Sequence, residues 1–217
     1  MHPEREWKPV IVPESFDQLV EILKWRRDVR RFRPDPVDAE LVGRLLSVSQ
    51  MAPSVGYSQP WRFVLVESEQ VRAELRANFE AENEAAAAEF EPELGGKYRG
   101  LKLSGLDVAP VQIAVFCDMA TTTGKGLGKR TMAETLQYSV VMAIHTLWLA
   151  ATAAGLGVGW VSILDPESAT RCLEVPESWK LIALLCVGYA EEQSQVPELE
   201  RLGWEKAEPA AGLVVRR

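Results

Sequence analysis

The stretch from residue 25 to 32 reads WRRDVRRF and places four arginines and one aspartate within eight positions. Guanidinium groups crowded this closely repel one another unless an anion joins them, and their planar forks match phosphate and carbonyl-type oxygens two at a time. The chain as a whole carries a net charge of −7, so the positive charge is local. A small anionic ligand suits it better than a nucleic acid or an anionic membrane. Cations at the end of a helix also offset its macrodipole, which accounts for one or two of these residues. It accounts less well for Arg30, Arg31 and Arg33, which lie in an extended stretch before Pro34. Asp28 has two readings. It is a salt-bridge partner that keeps the cluster near neutral, which the residues taken alone favour, or a carboxylate held beside a ligand to accept a proton or a hydrogen bond.

A second candidate is APSVGYSQPWRF, residues 52–63, where Pro53 and Ser54 open a loop rich in hydroxyls, backbone amides and glycine ahead of a strand. Such a loop either wraps a polar heteroaromatic ring or simply joins a helix to a strand. Trp61 and Trp160, each taken alone, read as core. GKGLGK at 124–129 and GLGVGW at 155–160 have glycines, but neither has the offsets and the strand-to-helix context that a dinucleotide or phosphate loop requires, so both read as turns. Metal chemistry is not expected: of the two histidines, His2 lies in the N-terminal arm and His145 in an apolar helix, where a satisfied core residue is the ordinary reading. No GxSxG elbow supports a serine hydrolase. The three cysteines have no close spacing and read as free thiols in a reducing compartment. The N-terminus is polar and carries charge of both signs, unlike a signal peptide. The apolar run at 140–154 is short for a membrane span. A cytoplasmic protein is expected.

These residues must be positioned by a core, and with 47% hydrophobic and 25% charged residues the chain can build one. The pattern predicts a single domain over 1–217, with an N-terminal arm to about 14 and a polar C-terminal tail from about 191. Ser15 and Gln18 predict a capping box and a helix from about Phe16 to Arg27. Asp38 caps a second helix to about Met51, and WRFVLV follows as a strand. Residues 69–91 predict a helix rich in Ala and Glu, weakly apolar, followed by EPELGGKYRG as a flexible link. VQIAVFCD, VGWVSI and LIALLCVGYA are apolar enough to be buried strands. The longest helix is predicted from Thr131 to near Gly155, and Asp165 with Pro166 opens a short one to about Leu173. The order suggests an α+β fold in which one long helix packs on a mixed central sheet.

Taken as an ordered set, RRDVRRF, APSVGYSQPW, GLGVGWVSIL and LLCVGYAEEQSQVPELER resemble the FMN-dependent nitroreductase superfamily, over nearly the whole chain from about Ser15 to Trp204. Within it, the branch of 5,6-dimethylbenzimidazole synthases matches best. Asp28 stands where ordinary nitroreductases usually have serine or threonine, and YSQPWRFV, YRGLKLSGLDVAPVQIAVFCD and GVGWVSILDPE continue the match. The resemblance implies an intertwined homodimer with flavin at the interface. It also implies a reaction in which reduced FMN and O2 are substrates, FMN is consumed, and no metal takes part. The products implied are 5,6-dimethylbenzimidazole, the lower ligand of vitamin B12, and erythrose 4-phosphate. A separate flavin reductase would supply the FMNH2. By the same resemblance, Arg26, Arg27 and Arg30, joined by Arg201, hold the phosphate, ribityl and pyrimidine oxygens. Ser54 and its neighbours, Pro53 among them, contact the ring, Leu103 with the segment 98–103 closes its other side, and Val29, Trp160 and Val161 are further cofactor-binding residues. Asp28 sits by the ribityl chain and N1 edge, and Ser162 by the N5 edge; these two are the catalytic candidates. Read without the family, Ser162 is a neutral serine at a strand end.

A reduced flavin meeting O2 must be shielded from water, and the Ala/Glu-rich helix with its GGKYRG hinge reads as a lid. Two rival activities stand beside this one. An NAD(P)H-dependent nitroreductase or flavin reductase would recycle its FMN, and a flavin-binding carrier or redox sensor would hold it without turnover. A reductive dehalogenase fits less well, for want of a recognisable clamp for its substrate.

Overall fold

The computed structural model describes residues 14–208 and 214–215, so most of the predicted N-terminal arm and the last part of the tail lie outside the described residues. The elements run α1 (Glu14–Trp25), α2 (Ala39–Ser49), β1 (Trp61–Leu65), α3 (Glu69–Ala88), α4 (Pro92–Arg99), β2 (Val111–Asp118), α5 (Thr135–Ala153), β3 (Gly157–Val161), α6 (Pro166–Cys172), β4 (Trp179–Gly188) and α7 (Glu198–Arg201).

The four strands form one sheet in the order β1-β2-β4-β3, and every pair in it is antiparallel. The expected mixed sheet is therefore corrected: among the described residues, parallel pairing is confined to an isolated bridge from Asp28 to Val158. That bridge puts the arginine-rich segment along the free edge of β3. Each strand alternates between two cores. Ile113, Val115 and Cys117 of β2 and Ala183, Leu185 and Val187 of β4 face α2 and α5, while Ala114, Phe116, Leu184 and Cys186 face α3 and α6. Burial on both faces explains why β2 and β4 are apolar over most of their length.

Helix α5 lies at the centre, with eight residues from Leu136 to Ala151 buried. By length and mean hydropathy it could cross a membrane, so the expectation of a run too short to span is corrected. Its burial within the fold marks it as a core helix. It is not the longest: α3 has 20 residues and α5 has 19. His145 is also corrected. It is exposed, on the same face as Tyr138, Val141 and Met142, three to four residues apart.

Helix termini follow the sequence to within a few residues. Asp38, Ser68 and Asp165 accept from backbone amides as N-caps of α2, α3 and α6. Ser15, expected as a cap, already lies inside α1. The expected flexible link after α3 is instead the helix α4, with Pro92 in its first turn, Glu93 near its start and Lys97 and Arg99 near its end. Gly95 is required there, since a Cβ would come within 2.9 Å of the Ala87 carbonyl oxygen.

The two core thiols predict an alkaline weakness. Burial pushes Cys186 up to about 12, and burial with the neighbouring Asp118 pushes Cys117 up to about 11, from an ordinary 9.0. An acid whose pKa is higher folded than unfolded keeps its full stability below the unfolded value and loses it as pH rises through the folded one. The midpoint of urea unfolding should therefore fall between pH 9 and 11, and the fall should be shallower in the Cys117→Ala, Cys186→Ala double variant; an equal slope in both would assign it elsewhere.

Candidate functional site

After α1 the chain turns extended and runs beside β3. The Val29 amide donates to the Val158 carbonyl at 3.0 Å, the Arg33 amide to Tyr189 at 2.8 Å, and the Glu191 amide to Arg31 at 3.1 Å. Phe32, only 1% exposed, is the apolar peg that holds the segment down. Backbone pairing on one side and this peg on the other dictate which way each arginine points.

The arginines separate accordingly. Arg26 lies over the indole of Trp148, 5.3 Å from the ring centroid, and is not among the residues around the cavity described next. Arg27 donates to the carbonyls of Gln195 and Arg26 and pairs with no carboxylate among the described residues. Burial first, and Arg26 second, lower its pKa, although an arginine remains charged. Arg30 donates to Asp28 Oδ2 at 2.8 Å and to the Lys102 carbonyl at 3.2 Å. Arg31 pairs with Glu198, and Arg201 lies 3.8 Å from Glu192.

A cavity of ≈ 50 Å³ collects Arg27, Asp28, Val29, Arg30, Arg31 and Arg201 with Val196 and two glutamates, Glu192 and Glu198. Four guanidinium groups against three carboxylates leave it positive. Asp28 is one of the residues that line it: Oδ2 takes the Arg30 bond, and Oδ1 accepts the Trp160 backbone amide at 2.9 Å. The carboxylate is thus locked between the arginine segment and β3. Both readings of Asp28 from the sequence meet in one geometry, since the salt bridge exists and the carboxylate also borders the cavity.

The remaining sequence-derived residues fall in three places. Trp160 and Val161 belong to β3, and Ser162 follows it, exposed, on the alternate position that Trp160 also occupies. Leu103 borders a separate cavity of ≈ 160 Å³ with Phe79, Asn83, Lys102 and Asp107, joined to the first through the Arg30 bond to the Lys102 carbonyl. Pro53 and Ser54 are not brought to the arginines within one chain. The Val55 amide donates to Ser139 Oγ at 3.0 Å, whereas the Arg27 carbonyl accepts from Trp148 Nε1 at 3.2 Å. Nine residues of α5 separate those anchors, about 13 Å along the helix.

Sequence reasoning passed over Arg31 as a cavity residue, and with it Glu192, Glu198 and the Gln195 carbonyl. Arg31 was visible in the cluster; its acidic partner, 167 residues away, was not. The Ala/Glu-rich helix also proves to be two things. Its first half is anchored, with Leu75 and Phe79 buried and Arg72 bonded to the carbonyls of Val66 and Pro110. Its end packs on α4, and α4 with Phe90 rests on the tail, where Phe90, Tyr98 and Trp204 form an aromatic trio with centroids 5.2, 5.9 and 6.0 Å apart.

The profile of the Nitroreductase family matches residues 23–189. The chain belongs to the nitroreductase family. Among its relatives, the 5,6-dimethylbenzimidazole synthase of Rhodospirillum rubrum is 54% identical over 209 residues, covering 96% of this chain and 98% of that protein. A protein of the same name from Rhodobacter capsulatus is 49% identical over 193 residues, covering 89% and 93%. A crystal structure of oxidized iodotyrosine deiodinase bound to FMN and 3-iodo-L-tyrosine superposes with a TM-score of 0.71 at 24% identity, covering 91% of this chain and 97% of that one. The α+β architecture is thus that of nitroreductases, a family of oxidoreductase-type enzymes.

Proposed function

We propose that the protein is a 5,6-dimethylbenzimidazole synthase that consumes reduced FMN and O2. The observation that carries this reading is Asp28, a carboxylate fixed by Trp160 and Arg30 in the lining of an arginine-rich cavity. The names of the relatives covering nearly the full chain support it.

The residues fit a flavin phosphate. The cavity takes an oxyanion, not a tricyclic ring, and its net positive charge and the destabilised Arg27 guanidinium are both relieved by an anion. Arg27, Arg30, Arg31 and Arg201 would hold the phosphate and ribityl oxygens, with Arg26 bracing the wall through Trp148. Val29, Trp160 and Val161 would flank the ring, and Leu103 would cover it. When bound, reduced FMN would supply the electrons and the carbon skeleton, and O2 would be the oxidant, with the flavin leaving as the benzimidazole, erythrose 4-phosphate and a fragment that carries the rest of the pyrimidine ring. Asp28 would accept a proton at the ribityl and N1 edge, where the Arg30 bond holds its carboxylate in place. Ser162 would donate or accept a hydrogen bond at the N5 edge. No metal enters this scheme, and electrons would come from a separate flavin reductase in the cytoplasm.

Assembly is part of the same proposal. The exposed apolar face of α5, with Tyr138, Val141 and Met142 at 51%, 41% and 39% exposure, is suited to pairing with a second copy. Pairing would also give Pro53 and Ser54 a route to a site that they do not reach within one chain. Met142→Arg should convert a homodimer to a monomer in light scattering and release FMN; a wild-type monomer that retains FMN would overturn this.

The deciding experiment gives the protein FMNH2 and air and follows products by mass spectrometry. The synthase yields 5,6-dimethylbenzimidazole and loses its flavin. Recovery of intact FMN, with NAD(P)H and nitroaromatic turnover, would make it a reductase; recovery without turnover would make it a carrier.

A further inference from the structure

We propose that Asn78, on α3, is a positioning residue for Ser162. The inference rests on the reading of Ser162 as a residue at the flavin ring.

Asn78 makes both of its amide hydrogen bonds to the backbone of one distant residue. Its Nδ2 donates to the Asp165 carbonyl at 3.0 Å, and its Oδ1 accepts from the Asp165 amide at 2.8 Å. This fixes the orientation of the side-chain amide, since the flipped one would set donor against donor. Asp165 in turn starts α6, its carboxylate accepting from the amides of Glu167 at 3.1 Å and Ser168 at 3.3 Å. Only Ser162, Ile163 and Leu164 lie between the end of β3 and this double clamp. Among the described residues, no backbone hydrogen bond outside the helices and strands fastens those three, and the Ser162 hydroxyl has no partner there either. Ile163 and Leu164 pack only partly buried against the core. The turn is therefore held at one end by β3 and at the other by Asn78.

The clamp is mounted on something rigid. Leu75 and Phe79, on either side of Asn78, are 1% and 8% exposed, and Arg72 ties the same half of α3 to two backbone carbonyls at 2.8 and 3.0 Å. Asparagine is a mediocre helix former, and at this half-buried site alanine would serve helix α3 better. What asparagine adds is the pair of bonds across to the turn. A misplacement of a reacting group by about 1 Å can cost about a hundredfold in rate, and a turn of three residues freed at one end has that latitude.

Two substitutions in the full-length protein test this. In Asn78→Ala, amide hydrogen exchange over 162–165 should quicken. The visible spectrum of bound oxidised FMN should move to that of Ser162→Ala, while FMN affinity stays within about threefold of wild type, a difference below about 1 kcal/mol. After reduction and admission of air, the fraction of flavin fragmented should fall about tenfold to a hundredfold. Asn78→Asp adds a signature that a general loss of stability lacks. Its ionised carboxylate repels the Asp165 carbonyl, but the protonated acid restores donor and acceptor together. Glu74 and Glu82 on α3 and Asp165 at α6 face this position beside the Cys172 thiol, and the like charges of those carboxylates favour the protonated form. Asn78→Asp should therefore regain the wild-type spectrum and product fraction, relative to wild type at the same pH, as pH falls from 8 toward 5; Asn78→Ala should not. A wild-type FMN spectrum in Asn78→Ala overturns the proposal, as does faster exchange with an unchanged product fraction. Intact flavin from the wild-type protein would instead overturn the proposed reaction, and the spectra and exchange would still decide the role of Asn78.

Discussion

Asp28→Asn is expected to leave FMN bound and to stop its fragmentation. The replacement keeps an oxygen for the Trp160 amide, now 2.9 Å from Oδ1, but turns an NH2 group toward Arg30 Nε, which Oδ2 accepts at 2.8 Å. Donor then meets donor, and the Arg30 side chain, 13% exposed, loses its counter-charge. Loss of a charged hydrogen bond at such depth costs about 1–3 kcal/mol of stability. The cavity proposed to take the phosphate gains net positive charge, so affinity for oxidised FMN should hold or rise. The proposed proton acceptor, however, is gone, and loss of a positioned general base lowers the rate by about a hundredfold to ten-thousandfold. Flavin fluorescence gives the affinity, and mass spectrometry gives the product. Unchanged yield would reduce Asp28 to the structural ion pair that the bare sequence favours.

Gly159→Ala should be the most damaging small change in the chain. An added Cβ would lie 2.1 Å from the Val29 carbonyl oxygen and 3.3 Å from its carbon. That obstacle is backbone and cannot swing aside. β3 and the 28–29 segment would have to part, breaking the bridge at Asp28 and the Val29-to-Val158 bond. Overpacking against backbone costs about 3 kcal/mol or more, which lowers the melting temperature by about 6–12 °C in a chain of this size. FMN affinity should collapse with it, because the arginines lose their alignment. Gly43→Ala is the control: nothing lies within 4 Å of its Cβ, and in the interior of α2 alanine should gain up to about 1 kcal/mol. Similar melting curves for the two variants would show that the close approach at Gly159 is not a constraint.

Much of this was legible in the sequence because it is written locally. Apolar runs marked β2, β3 and β4, side-chain oxygens marked the starts of α2 and α6, and crowding of arginines marked the cavity wall. What stayed hidden depends on partners far along the chain. The crowding of charge did not tell that Arg26 would stack on Trp148 while Arg31 turned inward to Glu198, because direction comes from the pairing with β3 and the peg at Phe32. The two glycines of α4 argued for a loop by propensity, yet close packing against Ala87 overrode it. A helix apolar on all sides did not reveal which stripe faced outward, so His145 was placed in the core when it belongs to the open face of α5. Pro53 and Ser54 were grouped with the arginines by resemblance to a family with flavin at a dimer interface, and their separation within one chain is what such an interface would bridge.

The aromatic trio of Phe90, Tyr98 and Trp204 has a thermodynamic consequence. Trp204 stands one short turn beyond Arg201, so the residue proposed to hold an anion and the residue that packs on Phe90 and Tyr98 share one short stretch of chain. Coupling between two such ends is reciprocal by necessity. To whatever factor an anion on Arg201 steadies the docking of α4, the docking of α4 tightens the grip on the anion. If Arg201 holds the flavin phosphate as proposed, a ligand without a phosphate would leave α4 less firmly docked.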